Sequence, residues 1–302
     1  MWSTTGCTVK KKFSKIGLVV KSDLQRTNLV AIENVIAAFA KNDCIIYTTA
    51  ELFKTIKERK SDLTEIIIPC EINSLHENID LGIACGGDGT LMHLARAVVG
   101  HEIPIMGIHF GRFGFLMDVS SDRLEQQIDS IFQGKYTVEH RITLQFCAPQ
   151  STQNIGFKFA INDVLIHRGT YNRLTEFIIK IDDHELPGIR ADGIIVASST
   201  GSTGYSLSAQ GSIIHPQLDA ITVTPICSHN IGINNRQMVL PGNSKIEIWS
   251  PDSETTVQVD GRKYDPLIDT GKSIEITGKH RGLSMIHPID YNYFKKLRSK
   301  FP

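Results

Sequence analysis

Leu81-Gly82-Ile83-Ala84-Cys85-Gly86-Gly87-Asp88-Gly89-Thr90 decides the fold of this chain. Its first five residues make a short apolar run with the length of a buried parallel strand. Leu91, Leu94, Ala95 and Val98 then recur at helical spacing, with Thr90 expected as the N-cap. Three glycines at the junction let the backbone bend sharply and lie against a ligand without Cβ contacts. The helix start behind them offers unpaired N–H groups and the positive end of a dipole, where a phosphate sits well. Asp88 is the one charge in the turn, and a carboxylate there suits holding Mg²⁺ or accepting a proton from a hydroxyl. The same residues also make a plain strand-to-helix turn with Asp88 as a cap, so the motif alone leaves both readings open.

Outward from this turn, residues 16 to about 135 alternate apolar runs with helical patterns. Ile16–Val20, Cys44–Tyr47, Ile66–Ile68 and Ile105–Ile108 read as strands. Ile32, Val35, Ile36 and Phe39 fall on one helix face, as do Leu124, Ile128, Ile131 and Phe132. Such alternation predicts an open parallel sheet covered by helices. From about 141 the pattern changes to short β-branched and aromatic runs: 142–146, 157–161, 176–181, 193–197, 245–249, 257–259 and 273–276. Asp260-Gly261 is a hairpin turn signal. A mostly β, sandwich-like second domain is therefore expected, with the tail from 290 as a final helix.

The totals set bounds. A chain of 302 residues suits about two domains. Lys+Arg 32 balances Asp+Glu 32, which gives no case for nucleic acid or an acidic membrane surface as partner. Six cysteines lie far apart without a C-x-x-C pair, which points to a reducing, cytoplasmic setting without structural zinc or disulfides. The histidines are scattered, so no residues are assigned as metal ligands.

Two further segments draw attention. Gly107-Ile108-His109-Phe110-Gly111-Arg112-Phe113-Gly114-Phe115 follows a strand, and from such a loop Arg112 can reach a phosphate. A loop packing Phe113 and Phe115 is the plainer reading. Ser198-Ser199-Thr200-Gly201-Ser202-Thr203-Gly204-Tyr205-Ser206 supplies six hydroxyls and an aromatic ring. Those groups can read the edges of a base and ribose, with Tyr205 as a stacking face. A Ser/Thr-rich turn capping a helix at 207–210 fits the same composition. Arg190 and Asp192 point to one side of a strand, where a surface ion pair is the ordinary explanation.

Gly86 to Thr90, Gly107 to Phe115, Asn162-Asp163, Ala191-Asp192-Gly193 and Thr200 to Ser208 occur in the order of the NAD kinase family, which this chain resembles from roughly residue 14 to 290. The glycine-Asp turn is shared with lipid kinases and phosphofructokinases, whereas the Thr-Gly-Ser-Thr-Gly-Tyr-Ser segment is far narrower. The resemblance implies an α/β domain over 1–138, to which the tail 288–302 returns, and a β-rich NAD-binding and oligomerisation domain over 139–287. It places the site in the cleft between them and implies a homodimer or homotetramer that shares residues between subunits. The implied reaction moves the γ-phosphoryl group of ATP, with Mg²⁺, to the 2′-hydroxyl of the adenosine ribose of NAD.

By the same resemblance Asp88 accepts the hydroxyl proton, and Gly86, Gly87, Gly89, Thr90, His93, Arg112 and Phe113 surround the phosphates or the dinucleotide. Asn162 and Thr203 read adenine, and Asp163 reads the ribose. Thr200, Gly204, Tyr205, Ser206 and Ser208 line the pocket, while Arg173, Arg190 and Asp192 match positions near the nicotinamide half. Three departures stand out from the family pattern: Ser199 for Pro and Gly204 for Ala, His109 for Asn, and Arg262 where Gln or Asn is frequent. Arg262 adds a cation beside the substrate. The competing functions are a lipid kinase built on the same turn, and an NADP-binding sensor without turnover. The hydroxyl-rich loop disfavours the first, and an intact Asp88 disfavours the second.

Overall fold

The structure is a computed structural model that describes residues 13–21, 28–59, 61–111, 114–148, 158–168, 175–228, 236–251 and 254–301. It divides into two compact units, one of residues up to Glu139 together with Ser284 onward, the other His140–Leu283.

In the first unit the alternation seen in the sequence becomes strands β1 (Lys15–Val20), β2 (Ile45–Thr48), β3 (Ile67–Pro69), β4 (Leu81–Cys85), β5 (Pro104–His109) and the short β6 (Val119–Ser120). Helices α1 (Leu29–Ala40), α2 (Ala50–Glu58), α3 (Asp88–Val98) and α4 (Leu124–Phe132) lie between and after them. The sheet order is β5-β4-β1-β2-β3, and each of these pairings is parallel, with β6 added parallel to β5. Both β4 and β5 are buried along their whole length, as strands covered on both faces must be. Ile32, Val35, Ile36 and Phe39 of α1 enter the core beside Ile128 and Ile131 of α4, as their spacing requires.

The turn after β4 differs in one respect from expectation. Gly87 is the N-cap of α3 and Asp88 its first residue, so Thr90 lies inside the first turn instead of capping it. The Gly87 carbonyl already accepts the Thr90 and Leu91 amides at 2.9 and 3.2 Å, which fixes the start three residues earlier.

The second unit is antiparallel in its pairings. The chain enters it within β7 (Tyr136–Cys147) and continues through β8 (Lys158–Ala160), β9 (Asp163–Arg168), β10 (Thr175–Ile181), β11 (His184–Glu185), β12 (Ile189–Ala191) and β13 (Gly193–Ser198). A short helix α5 (Tyr205–Ser208) precedes β14 (Ala220–Ile226), β15 (Met238–Pro241), β16 (Lys245–Trp249), β17 (Thr255–Val259) and β18 (Arg262–Ile268). One sheet runs β15-β14-β13-β9-β17-β18. The other contains β11, β10 and β16, together with β19 (Ile274–Pro288). Alternate residues of both sheets, such as Val164, Ile166, Phe177, Ile179, Ile194, Val196, Ile246 and Ile248, meet in one core. Asp260 and Gly261 join β17 to β18 with φ of 48° and 74°, the left-handed pair that a tight hairpin needs.

The strand expected at 273–276 is far longer, because Gly278 and Gly282 lie inside β19 rather than ending it. Residues 284–288 of β19 return to the first unit, pairing parallel with β5 at Ser284–Pro104 and Met285–Ile105. The final helix α6 (Tyr293–Lys300) follows, with Asn292 accepting the Lys295 amide at 2.9 Å as its cap.

Candidate active site

The Asp88 side chain is seated on the backbone of the segment before β6. Oδ2 accepts the Phe115 amide at 2.8 Å and Oδ1 the Leu116 amide at 2.9 Å. Gly114 makes this possible, since a Cβ there would stand 1.9 Å from Asp88 Oδ1. Each carboxylate oxygen keeps a second lone-pair direction for another donor. A Cβ on Gly87 or Gly89 would meet nothing within 4 Å, so the chain's own packing does not demand glycine there. By helix geometry the Asp88 and Gly89 amides have no intrahelical acceptor, whereas that of Thr90 already meets the Gly87 carbonyl. A carboxylate of fixed orientation beside open amides can handle a hydroxyl proton next to a phosphate.

The second set of predicted residues gathers in the second unit. Asp260, legible in the sequence only as a turn residue, is its organiser. Its carboxylate accepts the amides of Ile161 (3.1 Å), Asn162 (2.7 Å) and Asp163 (3.3 Å). Burial first, and then the Asp260 charge, push the Asp163 carboxyl up to about 7. The carbonyl of Asn162 accepts the Ser198 amide at 2.9 Å. A Cβ on Gly201 would come within 2.0 Å of that carbonyl, so the hydroxyl-rich turn can pass only as glycine.

Most hydroxyls of that turn serve the turn itself. Ser198 Oγ donates to the Ile161 carbonyl at 2.6 Å, Ser202 Oγ to that of Ser199 at 2.7 Å, and Thr203 Oγ1 to that of Thr200 at 3.2 Å. Ser199 Oγ bonds the Leu218 carbonyl. Ser206 Oγ meets Thr224 Oγ1 at 3.1 Å. Thr200 Oγ1 is buried without a hydrogen-bond partner among the described residues. Tyr205, by contrast, leaves 46% of its surface exposed, and Ser208 is exposed beside it. Both line a cavity of about 420 Å³ with Gln210, Thr224, Arg236 and Gln237. Gln237 holds the wall together, donating to Thr224 Oγ1 (2.9 Å) and accepting the Ser212 amide (2.7 Å). Neither Arg236 nor Gln237 carried a motif by which the sequence could have nominated it.

The remaining candidates are dispersed. His93 is exposed on α3. Arg190 is exposed on β12, whereas Asp192 pairs with Arg168 at 3.2 Å, so the expected Arg190–Asp192 ion pair is replaced by a cross-strand one. Arg262 is exposed at the start of β18, opposite Val259. His109 is buried with Nδ1 3.2 Å from the Gly111 carbonyl, and burial holds its pKa below the ordinary imidazole value. Arg112, Phe113 and Arg173 lie outside the described residues. A larger cavity of about 460 Å³ runs along α6 and has none of the predicted residues in its wall. No group of three or more His, Cys, Asp or Glu among the described residues can hold a metal ion. No helix among the described residues is long and apolar enough to cross a membrane.

With this geometry in hand, the likenesses to known proteins become informative. Residues 16–136 match the family model of the ATP-NAD kinase N-terminal domain, and residues 161–287 that of the C-terminal domain. A NAD kinase of Pseudomonas putida strain F1 is 42% identical over 229 residues, covering 75% of this chain and 76% of its own. One from Pseudomonas paraeruginosa is 38% identical over 234 residues, covering 76% and 78%. Among solved structures, yeast NADH kinase complexed with NADH superposes with a TM-score of 0.87 at 23% identity, covering 96% of this chain and 88% of the other. A NAD kinase from Archaeoglobus fulgidus in complex with ATP gives 0.66 at 21% identity, covering 95% and 97%. These last two likenesses speak to the fold.

Proposed function

The chain belongs to the NAD kinase family, and on that premise we propose how its residues carry the γ-phosphoryl group of ATP to the 2′-hydroxyl of the adenosine ribose of NAD. Asp88 takes the hydroxyl proton as the ribose oxygen bonds to the γ-phosphorus. The bond from that phosphorus to the β–γ bridging oxygen breaks, and ADP leaves with the electron pair. The turn amides from Gly87 to Gly89 receive phosphate oxygens, with Gly86 and Thr90 shaping the turn on either side, assisted by Arg112 and bordered by His93 and Phe113. Magnesium carried with ATP would supply charge neutralisation at the transferred phosphate.

On the dinucleotide side, Asp163 accepts from the ribose hydroxyls while Asn162 and Thr203 bond adenine. Tyr205 supplies a stacking face, and Thr200, Gly204, Ser206 and Ser208 shape the pocket around it. Arg173, Arg190, Asp192 and Arg262 serve the nicotinamide half. The reading includes a homodimer or homotetramer, which light scattering reads directly, and a cytoplasmic setting, which fractionation of the host cell reads.

The observation that supports this reading best is Asp88, oriented by two amides on the first turn of α3 beside two glycines with open faces. Its test is NADP formation from Mg-ATP and NAD. Asp88→Asn keeps the shape and the amide contact to one oxygen yet lacks a basic oxygen pair, so turnover is expected to fall at least ~100-fold, the scale of general base catalysis. Undiminished turnover in this variant would sink the role given to Asp88.

A further inference from the structure

We infer that Lys296, on the C-terminal helix, is a positioning residue for catalysis because it holds the backbone on which Asp88 rests; this deepens the reading of Asp88 as the base and rests on it. The peptide that joins Phe115 to Leu116 is gripped from both of its polar ends. Its amide, that of Leu116, donates to Asp88 Oδ1 at 2.9 Å, and its carbonyl, that of Phe115, accepts Lys296 Nζ at 3.0 Å. The same ammonium bonds Asp118 Oδ1, three residues further along the seat. Asp118 in turn is tied to His287 Nδ1 at 2.6 Å, and its own amide donates to the Gly107 carbonyl of β5 at 3.1 Å.

This is a costly arrangement to keep for packing alone. The side chains of Lys296, Asp118 and His287 are 4%, 1% and 1% exposed, and that of Glu139, 3.6 Å from His287 Nε2, is 3% exposed. Removing charges from water is expensive, and an apolar set of similar volume is often as stable. What the ionic set adds is direction: an ammonium aimed at one carbonyl fixes the plane of that peptide, and with it the line along which the amide meets Asp88. Two further contacts from α6 bear on the same residue. The rings of Phe115 and Phe301 lie 5.7 Å apart, and Lys300 Nζ stands 5.9 Å over the Phe115 ring. The Gly114–Asp118 segment therefore takes its shape from residues nearly two hundred positions away in sequence.

The test is steady-state kinetics of Lys296→Met and Lys296→Arg with Mg-ATP and NAD, beside thermal melts of both. Lys296→Met is expected to lower kcat by about 10- to 100-fold, the scale of a misplaced catalytic group. The KM for each substrate should stay within about twofold, since Lys296 is assigned no substrate contact. Lys296→Arg, which keeps a cation and donors in reach of the carbonyl, should recover most of the loss. Should Lys296→Met fail to fold, Phe301→Ala removes a half-exposed contact to the Phe115 ring, and a two- to fivefold fall in kcat at unchanged KM is expected. An unchanged kcat in the folded variants, or a fall in which both KM values rise and arginine gives no recovery, overturns the inference. If Asp88→Asn lowers kcat while the Lys296 variants do not, this inference alone fails. If Asp88→Asn leaves kcat intact, the base assignment itself fails.

Discussion

At the scale of single residues, two carboxylates to which roles are proposed have different surroundings. Asp88 rests on amides at a helix start, whereas Asp163 is buried near a second acid and pushed up to about 7. The sign for Asp163 follows directly. Its folded pKa exceeds the unfolded value of about 3.9, so between about pH 4 and pH 7 the folded state holds a proton that the unfolded state has lost. Stability therefore falls as pH rises across that window, and above it the burial penalty of the ionised form is fully present. Asp163→Asn should accordingly melt higher relative to the parent at pH 8 than at pH 5, as calorimetry at both values would read. NAD binding should show the opposite trend in the parent, strengthening as pH rises through 7, because only the ionised carboxylate accepts from both ribose hydroxyls. That trend should vanish in the variant. A flat affinity profile in the parent would remove Asp163 from the ribose contact. The residue scale is also where sequence reading met its limit. Asp88 stands out as the one charge among glycines, but Asp260 looked like turn chemistry. Its grip on the amides of residues 161–163 depends on a fold that brings positions a hundred apart together.

At the scale of elements, α3 shows stability and function pulling apart. A methyl group on Gly89 meets nothing and would favour the helix, by a few tenths up to about 1 kcal/mol. Gly89→Ala is thus expected to melt no lower than the parent while its KM for ATP rises several-fold, as the methyl stands where phosphate should approach. An unaltered KM would mean the open face carries no ligand. The strands β1, β4 and β5 and the helices α1 and α4 were legible because buried parallel strands are continuous apolar runs and helix faces repeat every three to four residues. In the second unit β9, β14 and β15 escaped notice. Asp163 and Arg168 bound the first, and Pro225 and Pro241 interrupt the others, so local pattern argued against strands that sheet pairing stabilises. The hydroxyl-rich turn was legible as a segment but not in its orientation. Six hydroxyls in nine residues look alike on paper, yet Ser198, Ser199 and Ser202 turn inward to staple backbone while Tyr205 turns out.

At the scale of the whole molecule, the first unit is discontinuous in sequence, and its seat for Asp88 is closed by residues that follow the entire second unit. A chain shortened after Pro288 lacks Lys296, Lys300 and Phe301. It should lose at least ~100-fold in turnover, and amides of residues 114–118 should exchange with solvent faster while those of β13 keep their protection. Equal protection of 114–118 in both chains would show that α6 is dispensable to the seat. The same discontinuity bears on how the enzyme comes into being. A ribosome completes the glycine turn early and must then translate residues 140–283 before α6 emerges, an interval on the order of ten seconds at ordinary synthesis rates. On the proposed reading, throughout that interval the nascent polypeptide carries Asp88 without its anchor, so full phosphoryl transfer is expected only once the chain has been read through.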